Sequence, residues 1–159
     1  MASAKRASGD EGEIFRAYLD AVGLQAMAGA AAVGLQASEW YAFSQLALEG
    51  GLTSGRLAER TGLTTGATTR LIDRLERAGF VRRAADPTDR RKVIVEPVPE
   101  AEARIAQAVA PARRLIGEVL DGYSAGEREL LFDYFRRAAP AFRQATEETR
   151  RAGRRASQG

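Results

Sequence analysis

Residues 52–95 read LTSGRLAERTGLTTGATTRLIDRLERAGFVRRAADPTDRRKVIV, and this stretch decides the fold. Thr53 or Ser54 can cap a short helix over about 54–61, with Leu57 and Ala58 facing inward. Gly62 breaks that helix, Leu63 turns inward, and Thr64 caps a second helix that runs to about Ala78. Within it Thr68, Leu71, Ile72 and Leu75 recur at steps of three, four and seven residues, which defines a buried helical face. Ala58 is small enough for two helices to cross closely, Gly62 can take the positive φ of the turn, and Leu71 and Leu75 lock the second helix on the first. This is the pattern of a helix-turn-helix. Gly79 then ends the second helix, and residues 81–97 read as a β-hairpin. Val81 leads out, Asp86, Pro87, Thr88 and Asp89 form a turn cluster, and Val93, Ile94 and Val95 return.

The face of the second helix opposite its apolar stripe carries Thr65, Gly66, Thr69, Arg70 and Arg74. Hydroxyls can bond base edges or phosphates, Arg can make a bidentate contact to guanine, and Gly66 permits close approach of a backbone. Arg70, nearer the helix start, is the better placed to read a base; Arg74, one turn later, is expected to meet phosphate. Arg90, Arg91 and Lys92 stand in a row at or just past the hairpin tip, which suits the negative potential of a narrow minor groove. Asp89 among them is expected to orient Arg90 or Arg91 rather than to meet DNA. The charge distribution agrees. Residues 52–92 hold ten Lys/Arg against five Asp/Glu, a net of +5, in a chain whose net charge is +3. A localised basic segment is the electrostatic footprint of a phosphate binder.

Here the stretch resembles the MarR family of winged-helix regulators. The likeness covers residues 35–95. It is carried by the run Thr69-Arg70-Leu71-Ile72-Asp73-Arg74-Leu75-Glu76, by Gly79-Phe80-Val81, and by Asp86-Pro87-Thr88-Asp89-Arg90-Arg91. The resemblance implies a homodimer formed by the first and the two last helices, with Arg90 entering the minor groove and Asp89 and Arg91 bracing it. It also implies repression relieved by a small, frequently anionic aromatic ligand bound between dimerisation helices and DNA-binding region. Three positions depart from the family pattern. Pro97-Val98-Pro99 replaces the usual Leu-Thr pair, Thr68 takes a core position that is usually aliphatic, and Gln36 stands where a Ser or Thr cap is usual.

Working outward, a helix is expected from about Glu11 to Gly34 through Ile14, Tyr18, Val22 and Met27, with a small-sided second half. Another fits 37–49, with Phe43, Leu46 and Ala47 as its apolar stripe, Trp40 alongside and Gly50-Gly51 as its stop. A long helix over 100–121 carries Ile105, Val109, Ala112, Ile116 and Leu120 on one side. Ser124 and Glu127 then form a capping box for a last helix to about Arg150, with Leu131, Tyr134, Phe135, Ala138 and Phe142 inward. The expected fold class is mainly α with a small β-hairpin wing. A winged helix-turn-helix over 35–99 is flanked by dimerisation helices at 11–34 and 100–150, between disordered ends at 1–10 and 151–159.

The 159-residue chain has no cysteine and no histidine. Disulfides, thiolate or imidazole metal sites, Ser-His-Asp triads and thiol redox sensing are thereby excluded. The reading is not an enzyme, with no cofactor expected. No run of about 18 apolar residues is present, so no spanning helix is expected and the protein is read as cytoplasmic. The expected partners are duplex DNA with a pseudopalindromic site, a second copy of the chain, and a small ligand near Tyr18, Trp40 and Tyr41. Two other readings stand beside this one: a ligand-independent DNA-organising protein with weak sequence preference, and a small helical enzyme or carrier whose basic hairpin is incidental.

Overall fold

The computed structural model describes the backbone of residues 2–156 and the side chains of 10–153, 155 and 156. The chain divides into two units, residues 1–112 and 113–159. The first unit opens with helix α1, Ala2–Ala32. It starts nine residues ahead of the expected Glu11, because Ala2, Ala4, Lys5, Arg6 and Ala7 are all good helix formers. The expected disordered start is therefore helical from Ala2 onward. Gly34, at φ +76°, turns the chain into α2, Ala37–Glu49, which Gly50 closes in the left-handed conformation. The buried face of α2 is Glu39, Ala42, Phe43 and Leu46; Ala42 takes the inward place expected of Ala47, which is exposed.

After α2 comes β1, Leu52–Thr53, then α3, Ser54–Thr61, and α4, Thr65–Arg77. Thr53, not Ser54, caps α3, and Thr64 caps α4 as expected. The Thr53 hydroxyl accepts from the Arg56 N–H, and the Thr64 hydroxyl accepts from the Ala67 N–H, each at 3.3 Å. Gly62 between the helices sits at φ +70°. Strands β2, Val81–Ala85, and β3, Val93–Pro97, form the wing. Strand β1 is an addition to the expected elements. It pairs antiparallel with β3, Leu52 opposite Val95, and makes a three-stranded sheet of order β1-β3-β2. Helix α5, Pro99–Asp121, begins directly after Val98. Proline is well placed at a first helical position, where its missing N–H costs nothing; the Val98 carbonyl accepts from the Ala101 and Glu102 N–H groups. The Pro97-Val98-Pro99 junction is thus a compact strand-to-helix turn.

The core of this unit gathers Phe43, Leu46, Leu57, Leu71, Ile72, Leu75, Phe80 and Val95, with Ala101 of α5. Phe43 and Phe80 meet edge to face at 5.9 Å between ring centroids. The Arg104 guanidinium lies over the face of Phe80, 4.4 Å from its centroid. Thr68 is buried in its aliphatic company because its hydroxyl donates to the Thr64 carbonyl at 3.0 Å, so its polar atom is satisfied.

In the second unit α6, Ala125–Ala156, passes the expected end by six residues, while 157–159 lie outside the described residues. The capping box is present: the Ser124 N–H donates to Glu127 at 2.8 Å, and the Glu127 N–H to the Ser124 hydroxyl at 3.4 Å. Of the residues expected inward, Leu131 and Ala138 are half-buried, whereas Tyr134, Phe135 and Phe142 are exposed within the single chain. Among the described residues no single helix is long and apolar enough to cross a membrane.

Candidate nucleic-acid interface

The second helix of the helix-turn-helix, α4, buries Thr68, Leu71, Ile72 and Leu75 and exposes Thr65, Gly66, Thr69, Arg70 and Arg74. Thr65 and Gly66 stand in the first turn, where backbone N–H groups lack helical partners and favour anions. Nothing in the chain's own packing demands a glycine at 66. An added Cβ would meet only the Arg70 Nη1, at 3.7 Å. The Thr69 hydroxyl donates to the Thr65 carbonyl at 3.0 Å, leaving its oxygen lone pairs toward solvent. Arg70 is exposed and has no carboxylate partner among the described residues.

Arg74, expected to meet phosphate, also has a partner within the chain. Its Nε donates to Glu39 Oε1 of α2 at 2.6 Å, with the Arg74 side chain 44% exposed and that of Glu39 only 9%. Burial pushes the Glu39 carboxyl up. The Arg74 hydrogen bond, the Gln36 N–H and the Arg74 charge together outweigh that and hold it below its ordinary value of 4.5.

In the wing, Asp86 organises the loop. Its Oδ1 accepts from the Thr88 N–H at 2.7 Å, the Thr88 hydroxyl at 2.6 Å and the Asp89 N–H at 3.2 Å. These bonds, the Thr88 hydroxyl foremost, hold the Asp86 carboxyl below its ordinary range. Asp89 accepts from the Arg91 backbone N–H at 3.1 Å and pairs with Lys92 Nζ at 3.4 Å. It therefore braces the loop backbone and Lys92, not the guanidinium of Arg90 or Arg91 as expected. The reason is geometric: the turn brings the Lys92 N–H back to the Asp89 carbonyl and puts both groups on one side. The side chains of Arg90 and Arg91 are exposed, with no partner among the described residues.

The residue that joins wing to helix is one the sequence reading passes over. Arg83 of β2 reaches Asp73 Oδ1 at 2.6 Å and also pairs with Glu76, both on α4. The Asp73 hydrogen bond leads the interactions that raise the Arg83 pKa and keep it charged. Asp73 and Glu76 are three residues apart and so share one helix face; that spacing was the available signal. Beside it Arg82 bonds its cross-strand partner Glu96 at 2.7 Å. Of the ten basic residues in 52–92, Arg60, Arg74, Arg82, Arg83 and Lys92 have carboxylate partners. The others are Arg56 at the start of α3, Arg70 and Arg77 of α4, and Arg90 and Arg91 of the wing.

The three residues expected near a ligand are not brought together. Trp40 and Tyr41 line a cavity of about 230 Å³ with Ala26, Met27, Ala37 and Ser44. Tyr18 does not line it: it lies nine residues before Met27 on α1, roughly 14 Å along the helix axis. Trp40 packs on Gly29, where an added Cβ would stand 2.8 Å from its ring.

A helix-turn-helix followed by an antiparallel wing defines a winged-helix protein. The pattern of the MarR family matches residues 33–92. A Bacillus subtilis protein, YcgE, described as an uncharacterised HTH-type transcriptional regulator, is 35% identical over 120 residues, which are 76% of this chain and 78% of the relative. The structure of a MarR family protein from Bacillus stearothermophilus superposes with a TM-score of 0.66 at 22% identity, covering 87% of this chain and 96% of the other. That of a mutant of S. aureus MepR bound to an oligodeoxyribonucleotide superposes at 0.57 and 15% identity, over 83% and 97%. This chain belongs to the MarR family and is a transcriptional regulator, not an enzyme.

Proposed function

We propose that the protein binds a pseudopalindromic duplex DNA site as a homodimer and represses transcription there, with a small aromatic ligand relieving the repression. Residues 35–99 form the DNA-binding region in this reading, and helices of 11–34 and 100–150 form the dimer. One observation carries it. Three of the five basic residues of 52–92 that lack a carboxylate partner among the described residues, Arg70 on α4 and Arg90 and Arg91 on the wing, stand on two elements that Arg83 ties together. A helix N-terminus bearing Thr65, Gly66, Thr69 and Arg70 suits major-groove base edges, while a projecting pair of arginines suits the adjacent minor groove. Lys92 and Arg74 face the phosphates. The oligonucleotide in the MepR mutant structure supports DNA as the partner of this fold.

The dimer is supported by exposed apolar side chains on the outer helices: Ile14, Val22 and Met27 of α1, and Leu130, Phe132 and Tyr134 of α6. Large apolar side chains left exposed on a helix in this number mark interaction sites. For the ligand, the cavity beside Trp40 and Tyr41 is lined by no charged residue. It suits a single neutral ring, with the Tyr41 and Ser44 hydroxyls as polar handles, better than an anion; a cavity of about 150 Å³ already holds benzene.

Selection of bound duplexes from a random pool tests the reading. A palindromic consensus with half-sites about 34 Å apart is the expected result. A pool that binds without consensus would replace it with a general DNA-organising role. Addition of single-ring aromatics to the complex should then release DNA from the selected site.

A further inference from the structure

Helix α2 begins without a Ser or Thr cap, and the group that completes its start is a buried acid from its own first turn. Glu39 Oε2 accepts the Gln36 N–H at 2.9 Å. Its other oxygen, Oε1, is turned to α4, where it accepts from Arg74 Nε at 2.6 Å, across 35 positions of sequence. The carboxylate is inside and the guanidinium half outside. Only Nε of Arg74 is engaged, and its two terminal nitrogens have no partner among the described residues. A guanidinium is planar, so a bond at Nε fixes the plane in which the terminal N–H groups point. Arg74 follows Arg70 by one helical turn on the exposed side of α4.

We infer that Glu39 is a positioning residue for DNA binding: it holds Arg74 at Nε so that the terminal nitrogens are presented, already ordered, to a backbone phosphate beside the groove that α4 enters. The inference rests on the duplex-binding reading above. A side chain ordered before binding loses less conformational freedom on contact. The acid also joins the start of α2, where Ala37, Trp40 and Tyr41 line the cavity, to α4.

The sign of one substitution separates this role from simple electrostatics. Glu39→Gln removes a negative charge from beside the DNA face, which by Coulomb's law alone tightens phosphate binding. A positioning role requires the opposite. On the selected duplex, E39Q should bind about 3- to 30-fold more weakly, with the slope of log affinity against log salt reduced by about two, one phosphate for each half-site. Arg74→Lys keeps the charge but cannot bond Glu39 and phosphate through separate nitrogens, and should fall by a similar factor. In an Arg74→Ala background E39Q should cause no further weakening, since only the Coulomb effect of the lost charge remains. E39Q binding as tightly as wild type or tighter, R74K binding as wild type, or an undiminished E39Q effect in R74A would each overturn the proposal. Circular dichroism accompanies every variant; if E39Q fails to fold, R74K decides, since Arg74 is half exposed. Wild type that binds no duplex overturns the DNA reading and this inference with it, whereas wild type that binds while E39Q is unimpaired overturns this inference alone.

Discussion

Arg90 stands on the wing loop with no group of its own chain to hold among the described residues, while Asp86 and Asp89 fix the backbone on either side of it. Arg90→Ala should therefore leave the melting temperature unchanged and weaken binding to the selected duplex by about 1–3 kcal/mol, the cost of a groove contact. Equal affinity of the two proteins at fixed salt would take Arg90 out of the minor groove. Glu39 is the opposite kind of residue, buried and paired. A carboxyl whose folded pKa is depressed contributes stability that is present above its unfolded value and lost as pH falls through the folded one. With Glu39 held below 4.5, wild type should lose stability as acid takes the pH beneath that value, and E39Q should show a shallower loss. The slope is reduced rather than abolished, because Asp86 and Glu127 are depressed in the same direction. Superimposable acid unfolding curves for E39Q and wild type would remove the ion pair from that response. The two residues also differ in how far sequence reaches them. The place of Arg90 on an exposed wing loop was readable because its surroundings are local, a turn cluster and neighbouring cations. Glu39 was not, since its meaning depends on Arg74, and periodicity within one helix carries no information about a partner in another.

Elements whose cause is local were legible throughout: threonine caps on α3 and α4, glycine stops after α2 and α3, the capping box of α6. Strand β1 was not, because two residues give no alternation to read and only pairing with β3 makes them a strand. Ala42 and Ala47 of α2 were indistinguishable by size, and the choice between them falls to the tertiary packing. The tie between wing and recognition helix belongs at this scale too. Arg83 and its partners are each about a third exposed or more, so the bridge contributes about 0.2–1 kcal/mol to global stability at most. Its effect is on the wing. Arg83→Ala should leave unfolding nearly unchanged yet speed hydrogen exchange at the Asp86 and Lys92 amides that close the loop. Exchange at wild-type rates would show that the strand pairing alone holds the wing.

At the scale of the whole molecule, the outer helices carry large apolar side chains that are about half exposed. Phe132→Glu places a charge on such a side chain of α6. We expect it to convert dimer to monomer in sedimentation while circular dichroism stays native, and duplex affinity should fall with it, because one winged helix makes too few contacts to select a site among a genome of competitors. A dimer that persists in this variant would move the interface off that part of α6, and wild type that sediments as a monomer at micromolar concentration would end the two-fold arrangement altogether. The Arg83 bridge has a last consequence. With wing and α4 joined by the same guanidinium, the proposed binding mode makes a single chain a caliper whose two jaws must match the offset from a major groove to the minor groove next to it. B-form DNA offers that offset. An A-form duplex, with its major groove narrow and deep and its minor groove broad and shallow, offers neither jaw a seat, so an RNA–DNA hybrid of the selected sequence should slip from a protein that grips its DNA counterpart.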